Sequence, residues 1–224
     1  MIMSESVVLA LDTSTVAAVG VAVGGRAVAR AVAPDPMRHA EQLIVLVDQA
    51  CAEARVELRD AGRERSIIAG VGPGPYTGLR VGIVTARTLG VALGLEVRGV
   101  CSLDAIAVQA VELARPDTEF VIATDARRRE VYWARYDAAG RRVGDPEVGS
   151  PDTVPRLPTF GPATGLYPDR LQVAGQELIL DAGVLAAAGP GLPDVGLEPL
   201  YLRRPDAIEP SRPKSVLATV RRAR

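Results

Sequence analysis

The sequence predicts an α/β protein of two similar lobes, each with a mixed sheet and packing helices. Apolar segments typical of buried strands end at Asp12 and again at Asp125, 113 residues later. Each is followed by a turn, a second strand, another turn and a third strand, which indicates a duplicated unit. Segments with helical spacing of apolar residues connect these strands. Two unrelated hairpins of similar length are the alternative to duplication.

The elements of the first half follow from apolar patterns bounded by glycine and proline turns. Strands are predicted at residues 7–12, 16–23, 26–32, 66–71 and 96–100. Helices are predicted at residues 39–54, 77–94 and 102–114. Ser102 is the expected N-cap of the third helix, and Pro116 follows its end.

The second half gives weaker signals after its first hairpin. Strands are predicted at residues 120–125, 131–136 and from 141 onward, with a short helix at 181–188. We assign residues 1–101 to an N-terminal lobe and 102–202 to a smaller C-terminal lobe. Residues 203–224 are rich in arginine and are expected to form an exposed, disordered tail.

Composition describes an ordinary globular chain and excludes several classes of protein. Of its 224 residues, 48% are hydrophobic and 24% charged, which excludes disordered and collagen-like chains. The net charge of −1 provides no global basic field to attract nucleic acid or a membrane surface. Arg87 and Glu96 interrupt the longest apolar stretch, and the N-terminus lacks the basic region of a signal peptide. We therefore expect a cytoplasmic protein.

The supply of metal ligands and nucleophiles is small. The chain has one histidine, His39, and two cysteines, Cys51 and Cys101, with apolar neighbours. A zinc site needs about three protein ligands, and no Gly-x-Ser-x-Gly elbow is present for acyl transfer. We expect two reduced thiols and no metal site.

Two segments of the first half are typical of phosphate chemistry. In phosphoryl-transfer folds of the actin and sugar-kinase type, a carboxylate at the position of Asp12 holds hydrated magnesium. A usable site also needs glycines in the turn after this carboxylate and a second carboxylate. Here the turn after Asp12 has no glycine, and the candidate second carboxylate, Asp125, is followed by three arginines. We therefore interpret Asp12 and Asp125 as an architectural remnant. A small-molecule kinase or ATPase using Asp12 is the alternative.

The Gly-Pro loop, residues 72–78, leads into a helix N-terminus, where anions bind. It has neither a Walker sequence nor a Gly-x-Gly-x-x-Gly sequence, and a rigid turn that positions the helix is the alternative interpretation. The candidates for a vestigial phosphate or nucleotide contact are Asp12, Thr13, Ser14, Gly72, Gly74 and Thr77.

Small residues recur every fourth position from Gly78 to Gly94, forming a flat stripe on one helix face. Glycine costs up to about 1 kcal/mol inside a helix, so the stripe indicates a closely packed neighbour. The helix at 39–54 is also apolar around most of its circumference. A partner chain, or burial within this chain, would explain both helices. The interface candidates are His39, Leu43, Leu46, Val47, Ala50, Gly78, Gly82, Ile83, Ala86 and Gly90.

Together these segments resemble the TsaB family, the non-catalytic actin-like subunits of the bacterial machinery that makes threonylcarbamoyladenosine in tRNA. The resemblance is carried by Leu9-Ala-Leu-Asp-Thr-Ser-Thr15, His39-Ala-Glu-Gln-Leu43, Gly72-Pro-Gly-Pro-Tyr-Thr-Gly-Leu-Arg-Val-Gly82, Asp125 with Glu130-Val-Tyr-Trp133, and Pro199-Leu-Tyr-Leu-Arg203. It implies an actin-like ATPase, or ribonuclease H-like, fold in the superfamily that also carries the M22-peptidase label. No protease apparatus is evident.

The resemblance also implies a function and partners. TsaB binds and activates its catalytic paralogue TsaD, which transfers threonylcarbamoyl to the adenosine next to the anticodon of tRNAs reading codons that begin with A. TsaD holds its metal with His-x-x-x-His, whereas this chain has His39 followed by Leu43. The two apolar helices would contact TsaD or, in isolation, a second copy. A TsaE-like ATPase joins the pair, and tRNA binds only through the complex. We expect no activity and no cofactor in this chain alone, with ATP, magnesium and the catalytic metal on the partner subunits.

Overall fold

The first sheet is built from five strands of the N-terminal half. The computed structural model describes residues 5–33, 39–59 and 64–203. The strands are β1 (Val7–Asp12), β2 (Ala18–Val23), β3 (Arg26–Val32), β4 (Arg65–Gly70) and β5 (Glu96–Val100). Their spatial order is β3-β2-β1-β4-β5. The three strands β1 to β3 pair antiparallel, while β4 pairs parallel to both β1 and β5.

The second sheet repeats this arrangement with one strand fewer. Its strands are β6 (Phe120–Asp125), β7 (Val131–Tyr136), β8 (Arg142–Gly149) and β9 (Thr159–Phe160). The order β8-β7-β6-β9 matches β3-β2-β1-β4, again with two antiparallel pairings and one parallel pairing. The duplication predicted from the two aspartate-terminated strands is therefore confirmed.

The helices cover both faces of the first sheet. They are α1 (His39–Ala54), α2 (Tyr76–Leu93), α3 (Ser102–Ala114), α4 (Ala163–Leu166) and α5 (Ala182–Ala188). Successive side chains of a strand point to opposite faces. Val7, Leu9 and Leu11 of β1 accordingly pack in the core beneath α1 and α2. Val8 and Ala10 pack in a second core with residues of α3 and α5.

That second core joins the two sheets. It contains Ile68 of the first sheet, Ile122 of the second, and Ile106 and Leu185 from the helices between them. The strands of the first sheet lie before residue 101 and those of the second sheet after it, whereas α5, from the second half, packs on β1 to β3. The two halves are therefore fastened through shared apolar packing, and the lobe assignment itself stays a prediction.

Small differences from the predicted elements have local causes. The strand β2 begins at Ala18 instead of residue 16, because the chain after Asp12 forms bends before it pairs. Of the predicted tail at residues 203–224, residues 204–224 lie outside the described residues. In the described ranges, no helix has the length and apolar character needed to cross a bilayer.

Candidate functional site

Asp12 lies at the end of β1 and is completely buried. Its Oδ1 accepts hydrogen bonds from the backbone N–H of Ser14 at 2.8 Å and from the Ser14 hydroxyl at 2.6 Å. Its Oδ2 accepts a hydrogen bond from the Ser102 hydroxyl. Burial raises the pKa of the Asp12 carboxyl above its ordinary value, and the hydrogen bonds from Ser102 and Ser14 oppose that rise. The carboxylate is thus enclosed and bonded within the chain.

Ser102 does not act as the N-cap predicted from the sequence. It is the first residue of α3, and Cys101 occupies the cap position without a side-chain hydrogen bond. The Ser102 hydroxyl instead bonds Asp12 and accepts a hydrogen bond from the Gly72 N–H at 3.1 Å. Its own backbone N–H donates to the Gly72 carbonyl at 2.7 Å. Ser102 therefore makes tertiary hydrogen bonds to Asp12 and Gly72 and does not cap α3.

The Gly-Pro loop packs directly against the turn after β1. A Cβ atom placed on Gly74 would lie 2.8 Å from the carbonyl oxygen of Ser14, and Gly72 has a φ of +103°. The Thr13 hydroxyl donates to the Gly78 carbonyl at 2.8 Å and so fixes the start of α2. The phosphate-contact candidates thus lie together, except that Thr77 points to solvent. Their polar atoms bond one another, which favours the interpretation as a rigid turn.

A cleft of about 350 Å³ lies on the other side of the loop. The arginine cleft, as we name it, is lined by Gly74, Pro75, Tyr76, Asp125, Ala126, Arg127, Arg128, Tyr132, Tyr201 and Arg203. It joins the start of α2, the end of β6 and the last described segment of the chain. Among these residues, Gly74 was a phosphate-contact candidate from the sequence, and Asp125 was the second carboxylate considered with Asp12. The available signal was the run of three arginines directly after Asp125.

These three arginines, residues 127–129, form a turn with left-handed backbone throughout. Their φ angles are 61°, 53° and 64°. The Arg127 N–H donates to Asp125 Oδ1 at 2.8 Å, the same contact that Ser14 makes with Asp12. The Arg203 guanidinium donates to the Ala126 carbonyl at 3.1 Å and pairs with Glu130. Asp125 therefore fixes the start of this turn, and Arg203 contacts the residues on either side of it, Ala126 and Glu130.

Two tyrosines form the opposite wall of the arginine cleft. The rings of Tyr76 and Tyr201 stack with their centroids 4.7 Å apart. The Arg80 guanidinium lies 3.9 Å from the centroid of the Tyr76 ring and donates to the Tyr201 hydroxyl at 2.9 Å. This hydrogen bond raises the pKa of Arg80. The wall connects α2 with the segment that supplies Arg203.

The stripe of small residues on α2 faces inward, which corrects the interface prediction. Gly78, Gly82, Ile83, Ala86 and Gly90 are all buried within the chain. A Cβ atom on Gly82 would lie 2.3 Å from Thr13 Oγ1, and one on Gly90 would lie 2.3 Å from a methyl group of Val97. The stripe is flat because the helix packs closely on the first sheet.

The interface candidates of α1 are corrected for the same reason. Leu43, Leu46, Val47 and Ala50 are buried in the core beneath the helix, with exposures of 0 to 4%. The side chain of the remaining candidate, His39, lies outside the described residues. The apolar side chains that do reach solvent on these helices are Ile44, Val45, Val84 and Val91, with exposures of 48, 53, 59 and 87%.

A family model described as TsaD: tRNA N6-adenosine threonylcarbamoyltransferase matches residues 35–180. This is more than half of the chain. The chain belongs to this family. An uncharacterized protein of Mycobacterium tuberculosis H37Rv is 40% identical over 213 residues, covering 90% of this chain and 94% of that protein. A relative from Mycobacterium leprae is 41% identical over 221 residues. This alignment covers 90% of this chain and 56% of that relative's length.

Named relatives identify the chain as a TsaB-like member of the TsaD family. The Escherichia coli tRNA threonylcarbamoyladenosine biosynthesis protein TsaB is 33% identical over 101 residues, which is 45% of this chain and 42% of that protein. The solved structure of YeaZ from Pseudomonas aeruginosa superposes with a TM-score of 0.69 at 29% identity, covering 88% of this chain and all of YeaZ. The predicted resemblance and the predicted actin-like α/β fold are both confirmed.

A second buried carboxylate of this TsaB-like chain lies away from the arginine cleft. Asp104 on α3 accepts hydrogen bonds from the Tyr136 hydroxyl at 2.8 Å and from Arg142 at 3.1 Å, both at Oδ1. Within the described ranges, its Oδ2 has no hydrogen-bond partner. Burial raises the pKa of Asp104, and the charge of Arg142 opposes that rise. This cluster ties α3 to the second sheet and was not predicted.

Metal ligands are sparse in the part of the chain that the structure describes. No group of three histidine, cysteine, aspartate or glutamate side chains lies close enough there to hold an ion. Leu43 occupies the position where the resemblance places a second histidine in the catalytic paralogue, and its side chain is buried in the core.

The homology of this chain to the TsaB proteins supports a role in tRNA threonylcarbamoyladenosine biosynthesis.

Proposed function

We propose that this chain is a scaffold subunit that binds and activates a TsaD-like catalytic paralogue. The paralogue would transfer threonylcarbamoyl to the adenosine next to the anticodon of tRNAs reading codons that begin with A. The names of the relatives from Escherichia coli and Haemophilus influenzae support this proposal, since both are threonylcarbamoyladenosine biosynthesis proteins. tRNA would bind through the complex, because the chain carries a net charge of −1.

The observation that carries the proposal is the exposed apolar face of α1 and α2. Ile44, Val45, Val84 and Val91 are half to nearly fully exposed on two helices that pack side by side. Beside them lies a groove of about 360 Å³ lined partly by Val47, Leu89 and Leu93. Exposed apolar surface of this kind is typical of protein interfaces. We place the TsaD-like paralogue there, and a second copy of this chain when the paralogue is absent.

The surroundings of Asp12 favour a scaffold over the alternative of a kinase or ATPase. A carboxylate that holds hydrated magnesium needs access to water, whereas Asp12 is fully buried and bonded to Ser14 and Ser102. In this proposal ATP, magnesium and the catalytic metal belong to the TsaD-like paralogue and to a TsaE-like ATPase. The chain itself would hold no cofactor.

Val91→Asp tests the proposed interface, with Leu113→Asp as its matched control. Both residues are exposed apolar side chains near the C-terminal end of a helix, Val91 on α2 and Leu113 on α3. A charge buried in an interface should weaken binding to the paralogue at least about tenfold. Calorimetric titration of the paralogue into each variant measures this. Wild-type affinity in Val91→Asp, with an unchanged melting temperature, would rule out the interface.

Assays of the isolated chain test the non-catalytic role. The purified chain should hydrolyse no ATP, and adding it to the paralogue should stimulate tRNA threonylcarbamoylation. The Val91→Asp variant should lose this stimulation, while Leu113→Asp should retain it. ATP turnover by the chain alone that disappeared in Asp12→Ala would instead establish the kinase or ATPase alternative.

A further inference from the structure

We propose that a cavity in the second half of the chain binds a small aliphatic zwitterion, an amino acid or a dipeptide. The charged pocket, as we name this cavity of about 510 Å³, is lined among others by Asp152, Val154, Arg156, Asp169, Arg170 and Leu171. The inference goes beyond the proposed scaffold function and does not depend on it, because the residues of the pocket all lie between positions 152 and 172, apart from α1 and α2.

Two short segments of backbone form the walls of the charged pocket. The first contains the one-turn 3-10 helix Pro151–Thr153, where the Val154 N–H donates to the Pro151 carbonyl at 3.3 Å. The second is residues 168–172, which follow α4. The Thr159 N–H of β9 donates to the Gln172 carbonyl at 2.7 Å and so ties this second wall to the sheet. The walls are therefore held in place by the fold, as in most small-molecule sites.

An ion pair joins the two walls. Arg170 Nε donates to Asp152 Oδ1 at 2.7 Å, and another nitrogen of the same guanidinium pairs with Asp152 Oδ2 and donates to the Ser150 hydroxyl at 2.8 Å. The hydrogen bonding from Arg170 lowers the pKa of the Asp152 carboxyl. Asp152 and Arg170 therefore neutralise each other within the pocket.

The other two charged side chains of the pocket remain unpaired. Neither Arg156 nor Asp169 makes a hydrogen bond or an ion pair with its side chain to another residue of the described ranges. Arg156 lies near enough to Asp152 for its charge to help lower the pKa of that carboxyl. The pocket thus presents one guanidinium and one carboxylate that a bound molecule can pair with.

The inner side of the charged pocket is apolar. Val154 and Leu171 are buried, with exposures of 8 and 7%, and they pack in a core cluster with Trp133 of the second sheet. An aliphatic side chain placed against them would be removed from water, which favours binding.

A zwitterion complements this arrangement in charge and in size. Its carboxylate would accept two parallel hydrogen bonds from Arg156, the geometry that a planar guanidinium favours. Its ammonium group would donate to Asp169. With two arginines and two aspartates the lining has no net charge, so it favours neither a polyanion nor a simple cation. Small-molecule sites span about 300–1,000 Å³, a range that includes this volume.

Four ligands that differ in charge and length test the proposal by calorimetry on the purified full chain. L-valine and valylvaline carry both charges, N-acetylvaline lacks the ammonium group, and valinamide lacks the carboxylate. A zwitterion should bind at least about tenfold more tightly than either singly charged analogue, since each analogue loses one charge-assisted contact. Tighter binding of valylvaline than of valine identifies a dipeptide as the ligand, and the reverse order identifies an amino acid.

Arg156→Gln and Asp169→Asn separate the two contacts. Both residues are exposed and unpaired, so both variants should melt at the wild-type temperature. Each should bind the zwitterion at least about tenfold more weakly. Arg156→Gln should also lose the preference for valine over valinamide, and Asp169→Asn the preference for valine over N-acetylvaline.

Asp145→Asn is the matched control, because Asp145 is an exposed carboxylate of β8 outside the pocket lining, and this variant should bind as the wild type does. The proposal fails if the wild type binds neither zwitterion, as it would if Arg156 and Asp169 were only solvated. It also fails if a singly charged analogue binds as tightly as the zwitterions, or if either pocket variant keeps the wild-type affinity.

Discussion

The hydroxyl of Ser102 donates a hydrogen bond to Asp12 Oδ2, joining two residues 90 positions apart. It links the end of β1 to the start of α3, and the Gly72 N–H donates to the same hydroxyl at 3.1 Å. One serine thus fastens the first strand, the Gly-Pro loop and the helix that leads into the second sheet.

Ser102→Ala should destabilise the chain by about 1–3 kcal/mol, because it leaves Asp12 Oδ2 and the Gly72 N–H buried without this partner. For a chain of this size, each kcal/mol corresponds to about 2–4 °C in melting temperature. Thr88→Ala is a suitable control, since the Thr88 hydroxyl is exposed and donates only to the Val84 carbonyl of its own helix. Thermal unfolding followed by circular dichroism measures both, and equal melting temperatures would contradict the role assigned to Ser102.

Asp12→Asn should make stability less dependent on pH. The pKa of Asp12 is raised by burial, so its contribution to stability is fully present below the ordinary value of 3.8 and is lost as pH rises through the raised pKa. Asparagine cannot ionise and removes that loss. Urea unfolding between about pH 4.5 and 7.5 should therefore show a shallower decline with rising pH for the variant.

Asp194→Asn is the control for this pH series. The hydrogen bond from the Gly196 backbone N–H lowers the pKa of the Asp194 carboxyl from its ordinary value of 3.8, so its stabilising effect is lost only as pH falls through that more acidic range. Its profile between about pH 4.5 and 7.5 should parallel the wild type. Parallel profiles for Asp12→Asn as well would show that the buried carboxyl does not titrate as the structure implies.

Ala86→Leu should lower the melting temperature, because Ala86 is fully buried between α2 and the first sheet. Overpacking at such a position costs about 1–3 kcal/mol. Ala92→Leu on the exposed side of the same helix adds the same atoms and should leave the melting temperature unchanged. A variant at Ala86 that melted normally yet failed to bind the paralogue would restore the interface assignment that the structure corrects.

Leu43→His should destabilise the chain without creating a metal site, although it restores His-x-x-x-His spacing with His39. Leu43 is fully buried, and removing such a side chain costs about 2–5 kcal/mol before the cost of burying an imidazole is added. Leu43→Met keeps the volume and should cost less than about 1.5 kcal/mol. Zinc titration with urea unfolding tests both points, and tight stoichiometric zinc binding by a folded Leu43→His variant would be the opposite outcome.

The sequence predicted the parts of the fold that depend on local pattern. Continuous apolar runs located β1 and β6, and their terminal residues Asp12 and Asp125 revealed the duplication, because strands buried on both faces carry a strong signal. Sheet order needed the structure, since hydrogen bonding between β1 and β4 joins segments separated by α1.

Site residues were harder to predict because identical sequence features serve different contacts. A serine before a helix is typical of an N-cap, but Ser102 bonds a carboxylate from another strand. A stripe of small residues indicates close packing without saying what packs there, and for Gly82 the neighbour is Thr13 of the same chain. Arg203 reaches the arginine cleft from 77 positions beyond Ala126, a proximity that no local pattern encodes.

The contacts of Ser102 also bear on whether the two halves of the described chain can move independently. A swing of one half away from the other would break the buried bonds from Ser102 to Asp12 and Gly72 and would open the apolar core that spans both sheets. The two sheets should therefore open to solvent as one cooperative unit, so the amide protons of β1 and β6 should exchange at similar, slow rates.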